Sequence, residues 1–119
     1  MSKMSRLYWS MGSCFVALGV VENAYTAHTR VKYSEKDRVA LDNAVRIQLL
    51  NGLGFLLLST RKTAGSMRGH LPGTLLFMGS TLFPGMIFYS RIMDDFRYTK
   101  LVMVGGSCTT LAWVAMAIA

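Results

Sequence analysis

The chain is 119 residues long, 52% hydrophobic and positive in mean hydropathy, more apolar than a soluble domain of this size requires, which places it in the membrane class. Thirteen Lys and Arg against six Asp and Glu give a formal net charge of +7. The basic residues sit at the ends of apolar runs and not in a stripe interleaved with aromatics, so they suit anionic lipid head groups and argue against a nucleic-acid partner.

Residues 1–6 are polar and basic and lead into fifteen uncharged residues at 7–21. A signal peptide has the same layout, but we expect a first membrane helix over 7–26, with residues 22–25 extending it into the interface. No Arg-rich, Ser-rich leader of a cleavable mitochondrial presequence is present, so mitochondrial import would use internal signals. Residues 28–40 carry a dense run of mixed charge and read as a solvated connection, helical toward its end, where Ser34 and Asp37 have the spacing of a weak capping box.

The second apolar run, 47–60, has only fourteen uncharged residues, so its helix must begin near Leu41 and carry Arg46 at membrane depth or snorkelling to the interface. That gives a span over 41–60. Residues 61–70 form a basic, glycine-containing turn, with Pro72 at a helix start where its missing N–H does no harm. Residues 71–90 follow without one charge, twenty in all, enough to cover the roughly 30 Å of a hydrocarbon core. Pro84 cannot donate to the Ser80 carbonyl, so a kink is expected there, on a face turned toward protein and away from lipid. After a charged connector at 91–100, nineteen uncharged residues at 101–119 supply a fourth crossing. The expected architecture is all-α: one membrane domain, four transmembrane helices in an up-down bundle, both termini on one side. Counting basic residues turns the 27–40 and 91–100 connectors toward the cytoplasm or matrix, whereas net charge reverses that lean.

Glu22 and Arg46 fall at similar depth in an antiparallel hairpin, so an ion pair between them would remove the cost of two lone charges, with Asn23, Gln48 and Asn51 joining the patch. A structural lock is preferred over a proton site, because no second intramembrane acid or histidine offers a relay. His28 and His70 lie in connectors on opposite faces and cannot share a metal or a haem. The sequence holds no GxSxG, P-loop or HExxH, so it names no catalytic, cofactor-binding or metal-ligating residue. Cys14 and Cys108 stand alone in apolar runs and read as small hydrophobes, and the methionines as packing. Gly79, Pro84, Gly85, Gly105, Gly106 and Trp113 are the candidates for close helix contacts, together with Gly12, Gly19 and Gly52. The lipid head-group candidates are Arg61, Lys62, Arg68, Arg91, Arg97 and Lys100.

Tyr8-Trp9, Val16-Ala17-Leu18-Gly19, Gln48-Leu49-Leu50-Asn51-Gly52-Leu53, Gly79 with Phe83-Pro84-Gly85 and Phe88, and Gly105-Gly106 before Ala112-Trp113 are in order and register over about 100 residues. On these pieces the chain resembles small membrane proteins of the transmembrane protein 256 type, grouped with bacterial relatives as a domain of unknown function. It departs from that pattern where the family shows Gly-Ala-His and here stands Glu22-Asn23-Ala24. It departs again where the family shows Tyr-Gln-Met-Tyr-His and here stands Ile47-Gln48-Leu49-Leu50-Asn51. Both family histidines are absent, which the resemblance connects with a chain kept as a helical scaffold. The resemblance implies a fold and a membrane address rather than an activity. The expectation is a non-catalytic accessory subunit of a respiratory complex in the mitochondrial inner membrane, partnered by other membrane subunits and lipid, cardiolipin above all. The alternatives are a bacterial plasma-membrane protein, or a small homo-oligomeric transporter with Glu22, Gln48 and Asn51 lining a path.

Overall fold

In the computed structural model, residues 3–61 and 67–118 are described. They are helical, with no strand among them. Helix α1 spans Lys3–His28; a 3₁₀ turn, Arg30–Lys32, leads to α2, Glu35–Ser59. Helix α3, Met67–Ser80, runs into a π-helical turn, Thr81–Gly85, and then into α4, Met86–Met93, before α5, Thr99–Ile118. Two stretches are long and apolar enough to cross a membrane: His70–Met93, which joins α3 and α4 into one rod, and Thr99–Ala117. With 26 and 25 residues, α1 and α2 match them in length but are less apolar.

The start of α2 is set by chemistry local to the chain. Ser34 is its N-cap in extended backbone, its Oγ accepting the Asp37 N–H at 3.3 Å, and Glu35 and Asp37 place negative charge on the first turn. The helix therefore begins at Glu35, two turns before the apolar residues do. Ser34→Ala should destabilise the protein by about 1 kcal/mol, read as a shift in a denaturant midpoint, while Ser34→Asp should leave it nearly unchanged.

At Pro84 the chain remains helical through the π turn. Proline lacks an N–H, and the i→i+5 closure of a π turn passes the task of donating to the residue beyond it. The rod ends where Asp94 takes left-handed backbone, φ 53°, and the Asp95 N–H returns to the Ser90 carbonyl. Arg97 then clasps Asp95 through Nε and Nη2 at 2.8–3.2 Å, with its backbone N–H on the same carboxylate. Those bonds hold Asp95 at about 2, below its ordinary 3.8. A carboxylate lowered in the folded state contributes fully above its unfolded value, about 4, and loses that contribution as the pH falls through about 2. Arg97→Gln should move the Asp95 midpoint up toward 4 in a carboxyl-resolved NMR titration.

The helices pack as two hairpins, α1 against α2 and the α3–α4 rod against α5. Their faces meet in two apolar clusters. Toward the start of α1, Tyr8, Phe55, Leu58, Leu76 and Ala112 are buried together, with the Phe15 ring edge-on to Phe55 at 5.3 Å. Toward the connector at 29–34, Leu41, Ala44, Val45, Ile87 and Phe88 form the second, closed by Tyr25, whose hydroxyl meets that of Tyr33 at 2.6 Å.

Candidate functional site at the Asn51 node

Between the two apolar clusters lies a polar layer centred on Asn51, whose side chain is wholly buried. The indole N–H of Trp113 donates to Asn51 Oδ1 at 3.4 Å, and Asn51 Nδ2 donates to Thr109 Oγ1 at 3.3 Å. An indole nitrogen can only donate, so it fixes which way the amide points. Thr109 and Trp113 are four residues apart on α5 and share one face, which is how a single amide engages both. One turn earlier on α2, Gln48 Nε2 donates to the Phe15 carbonyl of α1 at 3.3 Å. The layer thus ties α2 to the helices on either side of it.

Glycine lets the backbones come close enough for these bonds. A Cβ on Gly79 would strike Thr109 Oγ1 and lie 3.1 Å from the Gly105 carbonyl oxygen; one on Gly105 would strike the Phe83 amide nitrogen and lie 2.7 Å from the Leu82 carbonyl carbon. On the other side, a Cβ on Gly12 would be 2.7 Å from the Gly52 oxygen, and one on Gly19 would be 2.6 Å from a Leu49 methyl. Two glycines that the sequence reading did not single out do the same work. Gly73 makes room for the Tyr8 ring, and Gly54 lies against Trp113 and Leu76. Apolar sequence carries no signal of that kind, because which glycine faces a neighbour depends on where the neighbour is.

Several residues singled out by sequence take other places. Glu22 and Arg46 do not pair: Arg46 is exposed, and Glu22 Oε1 is enclosed without a hydrogen-bond partner. The antiparallel packing gives them similar depth, but at 100° per residue Arg46 falls on the far side of α2 from Leu41, Gln48 and Phe55, which face the core. Gly85 faces outward, and its nearest atom for an added Cβ is the Ser80 oxygen at 3.7 Å, so its place is in the π turn and not at a helix contact. Gly106 likewise leaves ordinary room beside the Phe83 ring, whereas Pro84 is buried.

Arg91 turns inward from the lipid side. Its Nε lies 3.0 Å from Asp37 Oδ1 and its guanidinium 5.0 Å from the Phe96 ring, because the last turn of α4 lies over the first turn of α2. Arg97 is held by Asp95, while Arg61 and Lys100 are at the exposed surface. Lys62 lies outside the described residues, and of Arg68 only the backbone is described. Ser80 Oγ, at the start of the π turn, is buried without a hydrogen-bond partner.

An amide, a hydroxyl and an indole, none titrating near neutral pH, join α2 to α5, and Gln48 joins α2 to α1, at the centre of an all-helical bundle containing two stretches of membrane-crossing length. This is the make-up of a small helical membrane protein. The chain belongs to the DUF423 family, described as proteins of unknown function, whose model matches residues 23–115. The transmembrane protein 256 resemblance points to the same family. A UPF0382 membrane protein of Staphylococcus haemolyticus is 24% identical over 114 residues, 95% of this chain and 93% of that protein. No solved structure matches the chain.

Proposed function

We propose that the chain is a non-catalytic accessory subunit of a membrane complex, a four-span bundle that fills space, buries helix faces against neighbouring subunits and holds lipid. The Asn51 layer carries this reading. Its buried donors and acceptors are spent on joining α1, α2 and α5, a use that suits the lock of a scaffold. The four-span reading is supported by close contacts that hold α1 and α2 alongside the α3–α4 rod and α5: Gly12 with Gly52, Gly54 with Leu76 and Trp113, Gly79 with Thr109. The crossing stretch of α5 is only 17% buried within the chain, and Met103, Val104, Leu111 and Val114 form an apolar outer surface that suits lipid or a partner helix.

The host we favour is a respiratory complex of the mitochondrial inner membrane, with cardiolipin among the lipids held by basic helix ends. The resemblance to a family whose eukaryotic members look mitochondrial or otherwise endomembrane supports it. The Staphylococcus haemolyticus relative, named as a membrane protein, favours the second reading, a bacterial plasma-membrane protein. Native electrophoresis of mild-detergent membranes, with mass spectrometry of whatever migrates with the chain, separates the outcomes. Fixed-stoichiometry co-migration with a respiratory complex is the expected result. A lone monomer or small homo-oligomer would remove the subunit reading and turn attention to transport at Glu22.

A further inference from the structure

Arg46 is exposed on the outer side of α2 and takes part in no ion pair or hydrogen bond among the described residues. It belongs to a stripe of six exposed residues, Val39, Asn43, Arg46, Leu50, Leu53 and Leu57, which follow one another at alternating spacings of four and three. That spacing keeps them on one side of the helix, as in a seam where two helices pack. From Val39 to Leu57 the stripe is about 27 Å long, close to the whole thickness of a hydrocarbon core.

The depth of Arg46 follows from the contacts of α2 with the rod. Asp37 meets Arg91 and Gly54 meets Leu76, so the two run antiparallel and Arg46, between those contacts, is level with Pro84. With a core of roughly 30 Å centred on His70–Met93, that level is about 4 Å from the midplane and about 11 Å inside the nearer edge. The side chain leans toward the start of α2 and so toward that edge, which shortens the distance without closing it. Lipid tails satisfy the three leucines and Val39 but offer nothing to a guanidinium, and a charge at such depth is paired as a rule.

Within this chain the carboxylate at the same depth is Glu22. It lies two turns from Phe15 on the same face of α1, the face that sets Phe15 against Phe77 of the rod, and one of its oxygens is enclosed. A second copy therefore offers Arg46 no outward carboxylate at this level. We propose that the stripe docks a transmembrane helix of a different subunit, and that this helix carries an Asp or Glu which pairs with Arg46. The proposal rests on the four-span, accessory-subunit reading above and adds to it which face meets the partner and what chemistry the partner brings.

The test uses the full chain in its native membranes, read by co-migration in mild-detergent native electrophoresis. Arg46→Gln should weaken retention in the host complex about thirty-fold or more, since the partner's carboxylate is then left buried and unpaired. Arg46→Lys should restore much of it, and Lys36→Gln, exposed on the first turn of α2, should leave it unchanged. Because Arg46 touches no group of its own chain, Arg46→Gln should keep its helicity, which circular dichroism checks. The amine introduced by Arg46→Lys also allows a zero-length crosslink: dicyclohexylcarbodiimide activates the partner's carboxyl, and the amine displaces dicyclohexylurea to form an amide. Peptide sequencing should place that amide on an Asp or Glu inside an apolar segment of another protein. Retention of Arg46→Gln equal to that of the wild type, or a crosslink to Glu22 of a second copy, would overturn the proposal alone. A wild type that runs as a lone monomer would overturn the subunit reading and the proposal with it.

Discussion

Gly105→Ala should destabilise the protein by about 2 kcal/mol, whereas Gly106→Ala, one residue on, should be neutral or stabilising by up to about 1 kcal/mol. At both positions alanine removes glycine's helix penalty, a gain of about 1 kcal/mol. At Gly105 the new methyl meets the backbone of Leu82 and Phe83, which cannot rotate aside, so α5 must move off the π turn. Overpacking of that kind costs about 3 kcal/mol, the upper part of its usual range, and exceeds the propensity gain. At Gly106 the nearest atoms are Phe83 ring carbons at 3.4 and 3.6 Å, an ordinary contact, so the propensity gain stands alone. Reversible unfolding of both variants in mixed micelles, followed by circular dichroism, checks the sign of each. Equal effects at the two positions would refute the backbone-to-backbone contact.

Asn51→Ala should cost about 2–3 kcal/mol, more than the two hydrogen bonds it removes would suggest. Those bonds are long, 3.3 and 3.4 Å, and interhelical bonds of this class average only about 0.6 kcal/mol in membranes. The larger loss comes from what remains: a Trp113 N–H without its acceptor, a Thr109 hydroxyl without its donor, and a cavity where a fully buried side chain stood. A double-mutant cycle with Trp113→Phe, which removes the N–H itself, should recover about 1 kcal/mol of coupling. Additive losses would mean that Asn51 acts through volume and not through the indole.

Much of the helical plan was written in local sequence. The twenty uncharged residues of 71–90 and the nineteen of 101–119 correspond to the two stretches of crossing length, and Ser34 with Asp37 marks where α2 begins. Gly79, Gly105, Asn51 and Trp113 could be named as residues of interest, and the structure brings all four to the same layer. The family, too, was legible in the order and spacing of short apolar motifs. Less of the pairing was. The Glu22–Arg46 lock followed correctly from depth and failed on rotation, and Arg91, read as a lipid ligand, faces Asp37.

The sequence by itself determined the order of the helices, which of them are apolar along their whole length, and which family they belong to, because hydropathy, caps and breakers act over a few residues. It placed two helix starts too late, near Leu41 and at Pro72, where the helices begin at Glu35 and Met67 and Pro72 lies inside α3. Tertiary packing alone decided which side of each helix faces a neighbour. Adjacent residues differ by 100° around a helix, so Gly105 and Gly106, identical in composition, have opposite fates once α5 docks on the π turn. That docking sets Gly105 against Leu82 and Phe83, and Thr109 and Trp113 against Asn51 of α2, residues far apart in the chain, and no local pattern contains it.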